Sequence, residues 1–227
     1  MKNFLLSIAF FSLFSFKSFS HVEHYADFNY LEYELFRNNN PIGYHKYNFK
    51  RNGENLSVIS EVNFKITKLG VDLYSYFAKS DENYEKGIFK SYSSITKQNK
   101  KNRYVNINVE PTSGDLIIDG SSYKGKASKN FIVGTWWNHE IIKAKAQISG
   151  ISGRIIEQTV TFIGKEDVII NGKTYKTLHF NFKSSDENLP ESKKLNTDIW
   201  YEENTYLWVK AAFDKTGYWE YRVKEVK

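Results

Sequence analysis

The sequence predicts an all-β protein, an antiparallel meander that forms a β-barrel or a strongly curved sheet. Three runs near the C-terminus indicate this most clearly, because polar and apolar residues alternate along residues 198–202, 206–213 and 218–226. Alternation with a period of two is typical of strands that have one buried and one solvated face. The segments between the runs, 203–205 and 214–217, are short and polar, and the second ends in glycine, so both favour tight turns.

The same alternation, broken by turn signals, continues through most of the chain before residue 198. Asn52-Gly53 and Asn171-Gly172 favour two-residue hairpin turns, because both central positions of such a turn need a positive φ. Many short strands joined by turns, without helices between them, favour a meander that closes into a barrel or packs as a sandwich. The strands predicted here are 30–36, 44–51, 56–68, 73–80, 87–96, 104–109, 116–118, 121–124, 154–164, 167–170 and 174–183.

The strand pattern fails between residues 130 and 153. Ile141, Ile142 and Ile148 lie near helical spacing there, and Asn138 is suited to cap a helix start. We therefore expect at most one short helix, around 138–148. A second polar segment, 184–196, predicts an exposed loop.

Residues 1–20 have the pattern of a cleaved signal peptide. A short basic start precedes an apolar run at 4–16, and small residues at 18–20 suit cleavage after Ser20. About 13 apolar residues are too few to span a bilayer, which needs about 20. We expect an exported, periplasmic protein with one β-rich domain at 21–227 and no stable membrane insertion after cleavage.

The cysteine content and the charge of the chain exclude some classes of function. The chain has no cysteine, which excludes disulfides and thiol catalysis, and its formal net charge is +6. The most basic stretches, 97–103 and 124–129, lie at turn signals and lack the interleaved aromatic residues of a nucleic-acid surface, so we interpret them as solvated loops and expect no nucleic-acid partner.

Several short motifs resemble a known family in their order along the chain. They are Pro41-Ile42-Gly43-Tyr44-His45, Lys68-Leu69-Gly70-Val71-Asp72-Leu73-Tyr74, Trp137-Asn138, Trp200-Tyr201 and Tyr218-Trp219-Glu220-Tyr221. Together they resemble the exported bacterial family called domain of unknown function 6134, which is similar to the wider domain of unknown function 3108 group. Glu202 stands where the family tends to have aspartate. The resemblance implies an exported β-rich fold and no activity.

Catalytic and cofactor motifs are missing from the sequence. It contains no Gly-x-Ser-x-Gly elbow, His-Glu-x-x-His pair or phosphate-binding glycine loop, so we expect no enzyme, no catalytic residue and no cofactor. His139 and Glu140 could relay a proton, but neighbours on a strand point to opposite faces, and a structural role is the favoured interpretation. After cleavage, His21 and His24 would lie near a free α-amine, a weak candidate for a metal site.

The aromatic content, 17% of the chain, leaves two interpretations open. The rings could fill a β-rich core, or they could line a cavity for a lipid-like or other amphipathic molecule. The alternative to such a binding protein is a module that presents an aromatic face or a sheet edge to an envelope protein. The candidate lining residues are Tyr44, His45, Trp136, Trp137, Trp200 and Tyr201.

Overall fold

The computed structural model describes residues 25–227, so the predicted signal peptide, its cleavage site and the candidate ligands His21 and His24 lie outside the described residues. The strands are β1 Tyr30–Arg37, β2 Asn40–Asn52, β3 Asn55–Lys68, β4 Val71–Glu85, β5 Ile88–Gln98, β6 Lys101–Val109, β7 Leu116–Gly120, β8 Lys124–Ala127, β9 Ile132–Val133, β10 Ala146–Ile148, β11 Ile155–Ile170, β12 Lys173–Ser184, β13 Asn196–Glu202, β14 Trp208–Asp214 and β15 Tyr218–Val226.

These strands form one sheet in the order β8-β7-β6-β5-β4-β3-β2-β1-β15-β14-β13-β12-β11-β10-β9. Neighbouring strands are antiparallel, except that β9 and β10 are parallel. The first and last strands pair at the middle of the sheet, where Leu31 lies opposite Val226. The all-β meander predicted from the sequence is therefore confirmed.

The two edges of the sheet approach each other without strand pairing. The loop that follows β10 lies across β5 and β7: the backbone N–H of Ser122 donates to the carbonyl oxygen of Ser152 at 2.9 Å, and the Tyr92 hydroxyl donates to that of Gly150 at 3.1 Å. Gly120 is needed at this contact, because a Cβ there would lie 2.5 Å from the Ser152 oxygen. The sheet is strongly curved and barrel-like but not closed.

The predicted strand parities hold along most of the sheet. Leu31, Tyr33 and Leu35 of β1 are fully buried, as their alternation with glutamate predicts. The predicted strands 154–164 and 167–170 form the single strand β11, whose register shifts between Phe162 and Gly164. The shift lets one long strand continue past the glycine.

The parity predicted for β14 is wrong at Trp208. Its alternation with Val209 predicts opposite faces, but both side chains are fully buried. The register between β13 and β14 shifts between Trp200 and Tyr201, which brings Trp208 to the inner face. There its ring stacks on Tyr33 with the centroids 3.9 Å apart.

The irregular segment contains the predicted short helix. It is a 3₁₀ helix, His139–Lys143, and the Asn138 side chain caps it by accepting the N–H of Glu140 at 3.2 Å. A second 3₁₀ turn, Glu191–Lys193, lies in the predicted loop 184–196, and the sequence pattern did not indicate the short strands β9 and β10. No helix in the described part of the chain is long and apolar enough to cross a membrane.

The irregular segment also supplies much of the core. Trp137 and Ile141 are buried against the inner faces of β1–β3 and β12–β14, and the Tyr25 ring packs edge-on against Trp137 at 5.5 Å. A smaller apolar cluster lies between β5–β8 and β9–β10. This segment therefore covers the inner face of the sheet.

Candidate functional site

A row of small polar side chains crosses the inner face of three neighbouring strands. Ser60 of β3 lies opposite Ser80 of β4, which lies opposite Ser94 of β5. The other inward positions around Ser60, such as Val58 and Val62, are apolar and larger. Three adjacent serines remove side-chain volume from the interior at one level of the sheet, so a cavity forms there.

The cavity has a volume of about 230 Å³. The serine row forms its floor together with Val62 and Ala78, and segments 134–136 and 147–151 cover it from the other side. Six ring-bearing residues complete its wall: His45, Tyr47, Tyr76, Tyr92, Trp136 and Tyr221.

The lining is mostly apolar, and the polar groups that it carries are uncharged. None of the described residues that line the cavity is Asp, Glu, Lys or Arg. Burial lowers the pKa of His45 to about 3, so its imidazole is neutral at neutral pH. Burial likewise raises the pKa of Tyr92 to about 12 and that of Tyr47 well above its ordinary value. The cavity therefore offers hydroxyl groups, an amide and a neutral imidazole.

His45 is held by one hydrogen bond. Its Nε2 lies 2.8 Å from the Ser60 Oγ, and its ring packs on Tyr47 with the centroids 4.3 Å apart. Its Nδ1 is buried and has no hydrogen-bond partner among the residues that the structure describes. Buried polar nitrogens nearly always have a hydrogen-bond partner, so the Nδ1 of His45 needs a partner that the described residues do not supply.

A wider apolar mouth adjoins the cavity. Its volume is about 590 Å³, and Tyr76, Ile151 and Tyr221 line both spaces, so the two are adjacent. Phe64 is central to it, stacked on Tyr76 at 4.8 Å and packed edge-on against Trp219 at 5.3 Å. The remaining mouth residues are Arg37, Ile66, Leu73, Tyr74, Gln98, Phe213, Lys215 and Thr216.

A buried carboxylate fixes the segment that covers the cavity. Glu82 of β4 accepts hydrogen bonds from the Trp137 Nε1 at 3.0 Å, from the Thr135 Oγ1 at 3.1 Å and from the Tyr84 hydroxyl. Burial raises the pKa of the Glu82 carboxyl, and these hydrogen bonds offset part of the rise. Trp136 lies between the two anchored residues, so the network positions its indole over the cavity.

Only some of the six predicted lining residues line the cavity. His45 and Trp136 line the cavity. Tyr201 does not line it; its buried hydroxyl donates to the Trp136 carbonyl oxygen at 2.9 Å. Trp137 does not line the cavity, because its indole turns into the core toward Glu82.

Tyr44 and Trp200 also do not line the cavity. The Tyr44 hydroxyl donates to Glu61 Oε1 at 2.7 Å, and the Trp200 ring stacks on His179 at 4.2 Å. Each of them precedes an inward residue on its strand, and successive side chains on a strand point to opposite faces. The pairs Tyr44-His45 and Trp200-Tyr201 therefore each supply only one inward-facing ring.

His139 and Glu140 do converge, but away from the cavity. His139 Nε2 lies 3.4 Å from Glu140 Oε1, which also pairs with Lys143 at 2.9 Å. The His139 ring stacks on Tyr206 at 4.6 Å, so the pair joins the 3₁₀ helix to the turn before β14.

The serines that create the cavity were not predicted from the sequence. The signal was present, because Ser60 interrupts the inward apolar parity Leu56, Val58, Val62 and Phe64. Ser80 and Ser94 occupy the same parity in the next two strands, but only the strand register shows that the three are adjacent.

Comparison with protein families gives one match. The sequence profile of the family described as Domain of unknown function (DUF6134) matches residues 33–224. No curated protein matches the chain.

Two solved structures that match the chain differ in how well they superpose on it. A β-barrel-like protein of domain of unknown function DUF1849 from Brucella abortus has a TM-score of 0.60 at 10% identity, over 87% of this chain and 96% of that one. A DUF1329 family protein from Desulfovibrio piger covers 91% of this chain and 89% of its own at 10% identity, with a TM-score of 0.24. The first likeness shows a shared β-barrel-like fold.

Proposed function

This chain belongs to the family Domain of unknown function (DUF6134), which names no activity, and we therefore propose a function from the cavity. The protein binds an uncharged, apolar or amphipathic molecule of the bacterial envelope and does not change it chemically. Its candidate binding residues are the serine row, His45 and Trp136.

The neutral lining of the cavity carries this proposal. Burying a charged ligand group without a counter-charge is strongly unfavourable, and none of the described side chains that line this space is charged. Hydroxyls and a neutral imidazole suit one or a few oxygen atoms of a ligand, and the apolar mouth suits hydrocarbon. A lipid-like molecule with a small neutral polar group meets both requirements.

The geometry around His45 supports binding over catalysis. Its Nε2 and the Ser60 hydroxyl are as close as a base and its nucleophile, at 2.8 Å. A pKa of about 3 makes the imidazole a weak base, however, and its Nδ1 has no orienting carboxylate among the described residues. The same atoms serve a ligand well as neutral hydrogen-bonding groups.

The proposed location is the periplasm, after removal of the signal peptide. This part of the proposal rests on the charge and hydropathy pattern of residues 1–20.

The alternative, a module that presents an aromatic face or a sheet edge to an envelope protein, has less support. Large exposed aromatic side chains in the described part of the chain are limited to Phe162 and Tyr218. The edge strand β8 is four residues long and carries Lys124 and Lys126, and short charged edges resist strand addition.

Native mass spectrometry of the protein purified from the periplasm of an expression host tests the proposal. We expect a species heavier than the polypeptide, and organic extraction after denaturation should release a lipid-like molecule. Readdition of the extract to stripped protein should change the fluorescence of Trp136. A bare polypeptide mass together with no fluorescence response to an envelope lipid extract would count against a carrier.

A further inference from the structure

The β3–β4 hairpin, beside the mouth, ends in an exposed apolar tip. Leu69 is 95% exposed and Val71 is 61% exposed. Ile66 and Leu73, each three residues or fewer from the turn of the same hairpin, line the mouth. The tip therefore projects from the rim of the opening and carries apolar side chains with no cover among the described residues.

Leucine is an unusual choice at this turn. Leu69 and Gly70 have φ values of 51° and 76°, the left-handed geometry that asparagine and glycine adopt most easily. Among the eight described non-glycine residues with positive φ, four are asparagine and Leu69 is the only aliphatic one. The opposite end of β4 has a similar turn, in which Lys86 and Gly87 occupy these positions. An exposed leucine at position 69 is thus unfavourable in two ways: it disfavours the left-handed φ, and its apolar side chain contacts water.

Positive charge surrounds the tip. Residues 65–77 and 97–103 together hold six lysine or arginine residues and one aspartate. The β5–β6 turn lies against the hairpin, because the Asn99 N–H donates to the Ser75 carbonyl oxygen at 2.9 Å. The aspartate, Asp72, is already paired with Lys65 at 3.0 Å.

The other basic stretch of the chain differs in its pairing. Lys124 pairs with Asp119 and Lys126 with Glu110, each at 2.8 Å. Among the described residues, Lys97, Lys100 and Lys101 form no ion pair. The sequence predicted both stretches as solvated loops. Within the described part of the chain, the stretch beside the hairpin keeps three unpaired lysines, whereas in 124–129 only Lys129 has no ion pair.

From the apolar tip and the unpaired basic rim, we propose that the β3–β4 hairpin docks this protein on the surface of an anionic lipid bilayer. Leu69 and Val71 would enter the headgroup boundary, and the lysines of the β5–β6 turn would contact anionic headgroups. This is peripheral binding, without a membrane-spanning segment. It does not depend on occupancy of the cavity, although it would bring the mouth to the bilayer surface.

Vesicle co-sedimentation tests the docking. We expect the protein to bind vesicles that contain phosphatidylglycerol and not vesicles of phosphatidylcholine alone. Binding should weaken between about 0.1 M and about 1 M NaCl, as the screening length falls from about 10 Å to about 3 Å.

Leu69→Asn separates docking from folding. Asparagine suits the left-handed turn, so the melting temperature should stay the same or rise, while affinity for the vesicles should fall about tenfold with the loss of the buried leucine. Ile88→Asn is the matched control: Ile88 is 63% exposed and follows the Lys86–Gly87 turn at the opposite end of β4. It should leave vesicle affinity unchanged.

The lysines are tested in the same way. Combined substitution Lys97→Gln, Lys100→Gln and Lys101→Gln should reduce both the affinity and its salt dependence, while Lys124→Gln with Lys126→Gln should change neither. Absence of vesicle binding, indifference to phosphatidylglycerol, or equal losses in Leu69→Asn and Ile88→Asn would overturn the proposal. A ligand found in the cavity of a protein that does not bind vesicles would overturn the docking and leave the proposed function standing.

Discussion

Ser80→Phe should empty the cavity of its ligand. Ser80 is the middle residue of the serine row, and its neighbours across the strands, Ser60 and Ser94, also line the cavity. A benzyl group at this position would occupy the space in which we propose that the ligand binds. We expect the affinity of stripped protein for the extracted molecule to fall at least about 100-fold, which corresponds to about 2.7 kcal/mol.

The fold should survive this change. Filling an existing cavity costs less than overpacking a dense core, for which about 1–3 kcal/mol is typical. Ser93→Phe is the matched control, because Ser93 belongs to the same strand as Ser94 and is exposed on the other face. It should bind as the unchanged protein does. If Ser80→Phe folded and still bound the ligand with full affinity, the cavity would not be the binding site.

Glu82→Ala should have the largest effect on stability. The carboxylate accepts hydrogen bonds from Tyr84, Thr135 and Trp137, all inside the protein. Its removal leaves these donors unpaired and opens a void, and we expect a loss of about 3–5 kcal/mol in the free energy of unfolding. Urea denaturation measures this loss, and Glu61→Ala, on the outer face of β3, is the control.

Glu82→Gln tests the charge separately. Because burial raises the pKa of Glu82 in the folded state, the protonated carboxyl is favoured there, and its contribution is fully present below the unfolded pKa of about 4.3. This contribution to stability is lost as the pH rises through the pKa of Glu82 in the folded state. The free energy of unfolding of Glu82→Gln should therefore increase relative to that of the unchanged protein as the pH rises from about 4 to about 8. A constant difference over this range would show that the carboxyl does not titrate with folding.

Local pattern was sufficient for most strands of the fold. Alternation in β1 and β3 identified their inward residues, because one face is buried from Leu31 to Leu35 and from Leu56 to Phe64. The pattern misled at Trp208, where a register shift turns an additional ring inward. Such a shift depends on the neighbouring strand, which the local sequence does not contain.

The site was less accessible to prediction because its parts are far apart in sequence. Glu82 and Trp137 are joined by a buried hydrogen bond, yet no spacing rule links a strand residue to an irregular segment 55 positions away. The candidate lining was chosen by residue size, which identified His45 and Trp136 but also the outward-facing Tyr44 and Trp200. Small residues on an inward parity, Ser60 first among them, were the better indicator of empty space.

The pairing of β1 with β15 has a consequence for how this protein folds. Each half of the sheet is a run of hairpins that form from local contacts, but the two halves join only when the first and last strands meet, with Leu31 opposite Val226. Contacts between the ends of a chain close a very large loop, and such topologies fold slowly. The joining step should be rate-limiting, and until it occurs the half-sheets β1–β8 and β9–β15 expose unpaired strands to chaperones and proteases.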